Sequence, residues 1–356
     1  PTYSPAPGAP YAAVAPYRLL DTRSSSHLGP QQSLSVQVAG VDGVPATATA
    51  AVLNVTATGP TAASYLSVWP AGTQRPTASN LNFGPGQTVP NLVEVPLGPS
   101  GAVSVFNWSG STDVVIDLEG YVDPGATGKL TPQQPARLLD TRQTQQTLGS
   151  GGTLQLAVPG TAAVLNVTVT DTSAGGYLTV YPSGAGKPNA SNLNWTAGQT
   201  VSNRVMVPTG GGTITIYNLF GSADVVVDLN ATFGSSGSLF SGLAPARILD
   251  TRSALGLGGA LGQGQTGTLQ VGGRGGVPAT ATAVVLNLTA VGPTAPGFVT
   301  AWPAGQTRPV VSDLNFAAGA TVPNLVVVQL GSGGAVSLYN LAGTVDLVGD
   351  VFGYYS

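Results

Sequence analysis

A six-residue string recurs three times along the chain. It reads RLLDTR from Arg18 to Arg23, RLLDTR from Arg137 to Arg142 and RILDTR from Arg247 to Arg252. Each string opens a longer unit that repeats with a period of roughly 110 to 120 residues. One structural unit is therefore used three times. The strings hold six of the twelve basic residues, in a sequence that is only 8% charged. Ordinary globular proteins are about 25% charged, so the few ionised side chains are placed, not scattered.

Within each unit the same segments follow in the same order. The first unit gives LSVQVAG from Leu34, TAAVLNVTATGP from Thr49, YLSVWPAG from Tyr65, SNLNFGPGQTVPN from Ser79 and DVVIDLEGYV from Asp113. The 50 glycines and 28 prolines break up any long helix. The alternating Val, Thr and Leu runs between them predict seven or eight short strands per unit. That count and spacing predict an all-β chain of three tandem antiparallel β-sandwich, jelly-roll-like repeats. The repeats cover residues 17–123, 124–235 and 236–356, behind a Pro- and Ala-rich arm at 1–16. The short connectors Asp123–Ala136 and Gly234–Ala246 keep neighbours in contact, either in a row or closed compactly around a pseudo-threefold axis. The arm is expected to lie on its own first repeat, which loses less entropy than reaching a neighbouring subunit.

Aspartate recurs at three aligned places: Asp21, Asp140 and Asp250; Asp113, Asp224 and Asp346; Asp117, Asp228 and Asp350. With Arg18, Arg23, Arg137, Arg142, Arg247 and Arg252 they suggest a structural Arg–Asp network tying first strand to last within each unit, since guanidinium meets carboxylate as a two-pronged pair. A calcium site would want the acids without the matching arginines, so no metal is expected. Asparagine recurs too, as Asn54/Asn166/Asn287, Asn82/Asn194/Asn315, Asn91/Asn203/Asn324 and Asn107/Asn218/Asn340. Some of these stand in N-x-S/T strings, but Asn54 falls inside a predicted strand. The expected role is amide bonding to backbone at bends and strand ends, in preference to glycosylation.

One strand per unit puts aromatic side chains on a face of their own: Tyr65 and Trp69, Tyr177 and Tyr181, Phe298 and Trp302. Such a face suits contact between repeats or subunits. The alternative is stacking against sugar rings of a cell-surface polysaccharide. Enzymatic chemistry finds no repeated base, because His27 is the single histidine. No catalytic residue and no cofactor is expected.

The strings RLLDTR, VLNVT, SNLN-x-x-x-GQTV-x-N and DVVVD together resemble the RLLDTR-type β-repeats of secreted and cell-surface proteins from actinobacteria and related soil bacteria. The resemblance covers nearly the whole chain and implies an extracellular or cell-surface setting. The opening at Pro1 fits a processed, mature N-terminus. Net charge is −3, which excludes a basic surface for nucleic acid. No apolar run is long enough for membrane insertion as a helix. With so little charge, the outer surface is expected to be covered by other protein. The sequence thus points to a non-catalytic structural or adhesive component that forms a homo-oligomer or polymer, with a lectin-like module as the alternative.

Overall fold

The structure, a computed structural model, describes residues 3–356. It contains 24 strands, eight from each copy of the repeat. The first copy gives β1 (Tyr11–Asp21), β2 (Gln32–Gln37), β3 (Ala50–Thr58) and β4 (Ser64–Pro70). It continues with β5 (Leu81–Phe83), β6 (Val89–Pro96), β7 (Ala102–Asn107) and β8 (Asp113–Val122). The second copy gives β9 (Lys129–Asp140), β10 (Thr153–Ala157), β11 (Ala162–Thr170) and β12 (Gly176–Pro182). Then come β13 (Leu193–Trp195), β14 (Val201–Pro208), β15 (Thr213–Asn218) and β16 (Asp224–Gly234). The third gives β17 (Phe240–Asp250), β18 (Thr266–Gln270), β19 (Ala283–Val291) and β20 (Gly297–Pro303). It ends with β21 (Leu314–Phe316), β22 (Thr321–Gln329), β23 (Ala335–Asn340) and β24 (Asp346–Tyr355).

These strands form six small four-stranded antiparallel sheets. In the first copy the orders are β1-β8-β3-β6 and β2-β7-β4-β5, and the other copies follow the same pattern. Alternate residues of β3 explain the layering. Ala51, Leu53, Val55 and Ala57 join an apolar cluster with Leu66, Val68, Val103 and Val105 from the second sheet of the same copy. Ala50 and Val52 point the opposite way, into a cluster shared with Val164, Met206, Val285 and Leu325 of the other copies. The first sheet of each copy is thus buried on both faces.

This corrects the expected fold class of three tandem sandwich repeats. The architecture is an arrangement of six blades, propeller-like in its count, each a small four-stranded sheet. The physical reason lies in strings such as AAVLNVTA, where the face opposite Ala51, Leu53 and Val55 carries Ala50 and Val52 and holds no charge. A sheet that faced water on one side would alternate with polar residues.

The contacts between copies close cyclically. Tyr11 pairs with Gly128, Leu130 with Ser238, and Phe240 with Ala9, each through two backbone hydrogen bonds of 2.7–3.0 Å. Ala9 therefore does at the third junction what the connectors do at the other two. Within the stretch expected to be an arm, Pro1 and Thr2 lie outside the described residues, and Tyr11–Pro16 already belong to β1. Ala9 meets the third copy, whereas Tyr11–Ala13 pair with β8 and the Pro10 carbonyl accepts from the Asp123 N–H, so that part of the stretch lies on its own first repeat.

One glycine position is fixed by close approach. A Cβ on Gly98 would stand 1.9 Å from the Ala71 carbonyl oxygen, and the equivalents Gly210 and Gly331 would stand 1.9 Å and 2.1 Å from those of Ser183 and Ala304. These turns lie flat on the end of the neighbouring strand. Gly98→Ala is expected to destabilise the fold by about 1–3 kcal/mol, the usual cost of overpacking. Gly86→Ala, where φ is 71° but no atom lies within 4 Å, is expected to cost less, and paired denaturant titrations would check the order.

Candidate functional site

The opening string turns out to be a compact set of mutual caps. Arg18 Nε donates to Asp117 Oδ1 at 2.7 Å, and its Nη1 donates to Asp21 Oδ2 at 2.9 Å. Asp21 caps the turn that follows, accepting from the backbone N–H and the Nε of Arg23 at 3.2 and 2.8 Å. The third copy repeats this through Arg247, Asp350, Asp250 and Arg252. In the second copy Arg137 pairs with Asp228 and Asp140, and Arg142 with Asp140, but Arg137 Nη2 turns to the Val310 carbonyl. Asp113, Asp224 and Asp346 make no salt bridge with arginine, which corrects their place in the expected network. They accept instead from Thr22, Thr141 and Thr251 at 3.0, 2.7 and 2.6 Å. The same threonine oxygens accept from the next backbone N–H, that of Val114, Val225 or Leu347. Thr22 and its counterparts are thus the string's hidden members.

The charges respond as their surroundings dictate. Arg23 holds the Asp21 carboxyl down at about 2. Burial pushes Asp228 up to about 6 in spite of Arg137, and raises Asp117 and Asp350 as well. The backbone of Ser191 in the second copy acts to lower the Asp117 carboxyl against burial, so this network reaches beyond its own unit.

At the centre stands a ring of amides. Asn91, Asn203 and Asn324 donate to the side-chain oxygens of Asn287, Asn54 and Asn166 at 2.8–2.9 Å. Their own oxygens accept from the backbone N–H of Leu325, Leu92 and Arg204, each at 3.1 Å. Asn54, Asn166 and Asn287 donate onward to the carbonyls of Ser191, Ser312 and Ser79 at 2.6–2.7 Å. Every one of these bonds joins two copies, and all six asparagines are buried. They sit mid-strand, which corrects the expectation that they serve bends and strand ends. Asn107, Asn218 and Asn340 do sit at a bend, donating to Gly110, Gly221 and Gly343. Asn82, Asn194 and Asn315 bond to the hydroxyls of Ser79, Ser191 and Ser312.

Each junction between copies adds a polar contact of its own. Between first and second, Glu119 accepts from Asn192 Nδ2 at 2.5 Å and from the Met206 backbone N–H at 2.9 Å. Between second and third, the wholly buried Arg204 pairs with Asp313 at 2.7 Å. Between third and first, Tyr355 donates its hydroxyl to Glu94 at 2.6 Å. Burial lifts both Glu94 and Glu119 to about 8. Sequence reading missed Glu94, Glu119, Arg204 and Asp313 because each occurs in one copy alone. Their signal is a charged residue standing where the other two copies carry a neutral one.

The aromatic strands divide. Trp69, Tyr181 and Trp302 are buried, and the two indole N–H groups donate to the carbonyls of Thr73 and Gln306. Tyr65, Tyr177 and Phe298 stay half-buried beside Phe106, Tyr217 and Tyr339. A cation lies over the second ring of each pair: Arg75 at 3.6 Å, Lys187 at 4.8 Å and Arg308 at 3.6 Å. The recurring basic residue before proline, at 75, 187 and 308, is the signal that marks them. Among the described residues, no group of three or more His, Asp or Glu is gathered closely enough to hold a metal ion. Among those residues, too, no helix is long and apolar enough to cross a membrane.

No family model matches the chain, and no curated protein matches it. Among solved structures it is similar to a chain from work on the triple jelly roll fold and turret assembly in an archaeal virus, with 11% identity, 98% of this chain and 90% of that one covered, and a TM-score of 0.23. It is also similar to a chain from the atomic structure of Sulfolobus Turreted Icosahedral Virus, with 11% identity, 100% and 98% covered, and a TM-score of 0.24. Likeness at that level carries no argument about fold or role.

Two outcomes are expected. Asn203→Ala strands three buried partners, Asn54 Oδ1, the Leu92 N–H and the Asn192 carbonyl. It should cost on the order of 3 kcal/mol or more in a denaturant titration. The second concerns pH. Glu94 and Glu119 bind protons more tightly folded, at about 8, than in the open chain, near 4.5. Their contribution is complete below about 4.5 and is lost as pH rises through 8. The melting temperature should therefore fall between pH 5 and pH 9, and Glu94→Gln should flatten that fall with little change at pH 5.

Proposed function

We propose that the chain is a non-catalytic structural or adhesive protein of the cell exterior that works by assembling with copies of itself. The observation that carries this is where its charges go. Among the described residues, nearly all ionised side chains are paired, buried or laid over a ring. Asp42, Lys129, Asp171, Asp224, Arg274 and Asp346 are the ones left in none of these settings, and of these Asp224 and Asp346 accept from threonine hydroxyls. Like-charge repulsion is what normally keeps soluble proteins apart, and this exterior offers little of it. Trp108, Phe220 and Val310 are meanwhile exposed, at 46, 56 and 89%. The resemblance of the repeats to those of secreted bacterial proteins supports the setting outside the cell.

Light scattering across a concentration series tests the proposal. Large species are expected, and they should persist in high salt because few charges hold them. A clean monomer at high concentration would sink it. A second reading, one carbohydrate site, is favoured by a single feature: Trp108 stacks on Tyr65 with centroids 5.7 Å apart and an interplanar angle of 14°. Glycan binding that disappears in Trp108→Ala would select that reading.

A further inference from the structure

Resting on the assembly reading, we propose that the outer edge strands β2, β10 and β18 are the assembly contacts, each pairing edge to edge with the equivalent strands of a second copy of this chain. Each is the terminal strand of its sheet, bonded on one side to β7, β15 or β23. Among the described residues, 33–37, 153–157 and 266–270 make no backbone hydrogen bond outside that pairing. A row of unpaired N–H and C=O groups has a chemically defined complement, another extended backbone.

The other edges are treated differently. The edge strands β1, β9 and β17 carry Pro16, Pro132, Pro135 and Pro245, together with the arginines of the opening strings. Proline and charge are the usual protections of an edge. The opposite edge, β6 in the first copy, packs against β14 and β22 inside the molecule. By contrast β2 (QSLSVQ), β10 (TLQLA) and β18 (TGTLQ) hold no proline and no charge.

Several features fit a second copy as the occupant. Uncharged strands meet themselves without like-charge opposition. Ser33, Ser35, Gln155 and Thr268 are exposed and able to bond across such a pair. Leu34, Leu154 and Leu156 remain half-exposed at the edge, where a continuing sheet would cover them. A hollow of about 430 Å³ runs beside β10, lined by Gln146, Thr147, Thr153 and Gln155. Three such edges on one molecule give a network, whereas one would stop at a dimer.

The test is the triple variant Ser35→Lys/Gln155→Lys/Thr268→Lys, which places a charge at the same exposed position of each edge. Loss of the large species with an unchanged melting temperature is the expected result. If the triple variant assembles as the parent does, the edges are not the contacts, although the assembly reading survives. If the parent itself stays monomeric, both ideas fall. Trp108→Ala/Phe220→Ala should assemble normally, and loss of assembly there would move the contact to the loop tips and overturn the proposal. Hydrogen exchange on the parent gives a readout free of any folding defect. Amides of residues 32–37, 153–157 and 266–270 should gain protection on assembly, and no gain would overturn it.

Discussion

A buried amide must find a partner or forfeit the hydrogen bonds it had with water. In this chain the six central asparagines find theirs in another copy of the repeat. Asn203 reaches Asn54, Asn324 reaches Asn166, and Asn91 reaches Asn287. A single copy standing alone would leave that face open to water, with Ala50 and Val52 uncovered and the amides bonded to solvent instead of to one another. The ring therefore makes the three copies interdependent, and the doubly buried sheets around it follow from that closure. The same side chains fix register, because a one-residue slip would turn each amide to the opposite face of its strand.

The ring by itself would treat the three junctions alike. Single-copy substitutions separate them. Arg204 stands where the other copies have Leu92 and Leu325, and Asp313 stands where they have Asn80 and Asn192. That pair forms only between the second and third copies. Glu119 with Asn192, and Glu94 with Tyr355, distinguish the remaining two. Buried ionisable groups seldom add net stability, and two of these are carboxyls held mostly protonated at neutral pH by burial. Their consequence is an order: each copy has one correct neighbour on each side.

The opening strings work at the periphery of the same system. Arg18 anchors the first strand to Asp117 on the last, and the backbone of Ser191 in the next copy acts to lower the Asp117 carboxyl. Asn54 donates to the carbonyl of that same Ser191. The strings RLLDTR, VLNVT, SNLN and DVVVD, well separated along the chain, thus converge on one serine peptide. This convergence consumes most of the ionised side chains and leaves hydroxyls, amides and open strand edges to face outward.

The sequence alone determined the all-β character, the threefold use of one unit and the pairing of Arg18 with its aspartates, because strand periodicity and guanidinium–carboxylate matching are local or chemically exclusive. It could not determine that one sheet of each copy is covered on both faces, or that Asn54 and Asn91 belong to a ring. A Val- and Ala-rich strand reads the same whether its second face meets a neighbouring domain, a partner or a shared centre. An asparagine likewise reads the same at a bend and mid-strand. Which partner an amide takes is decided by what lies across the interface, and that depends on how three copies distant in sequence close on one another in space.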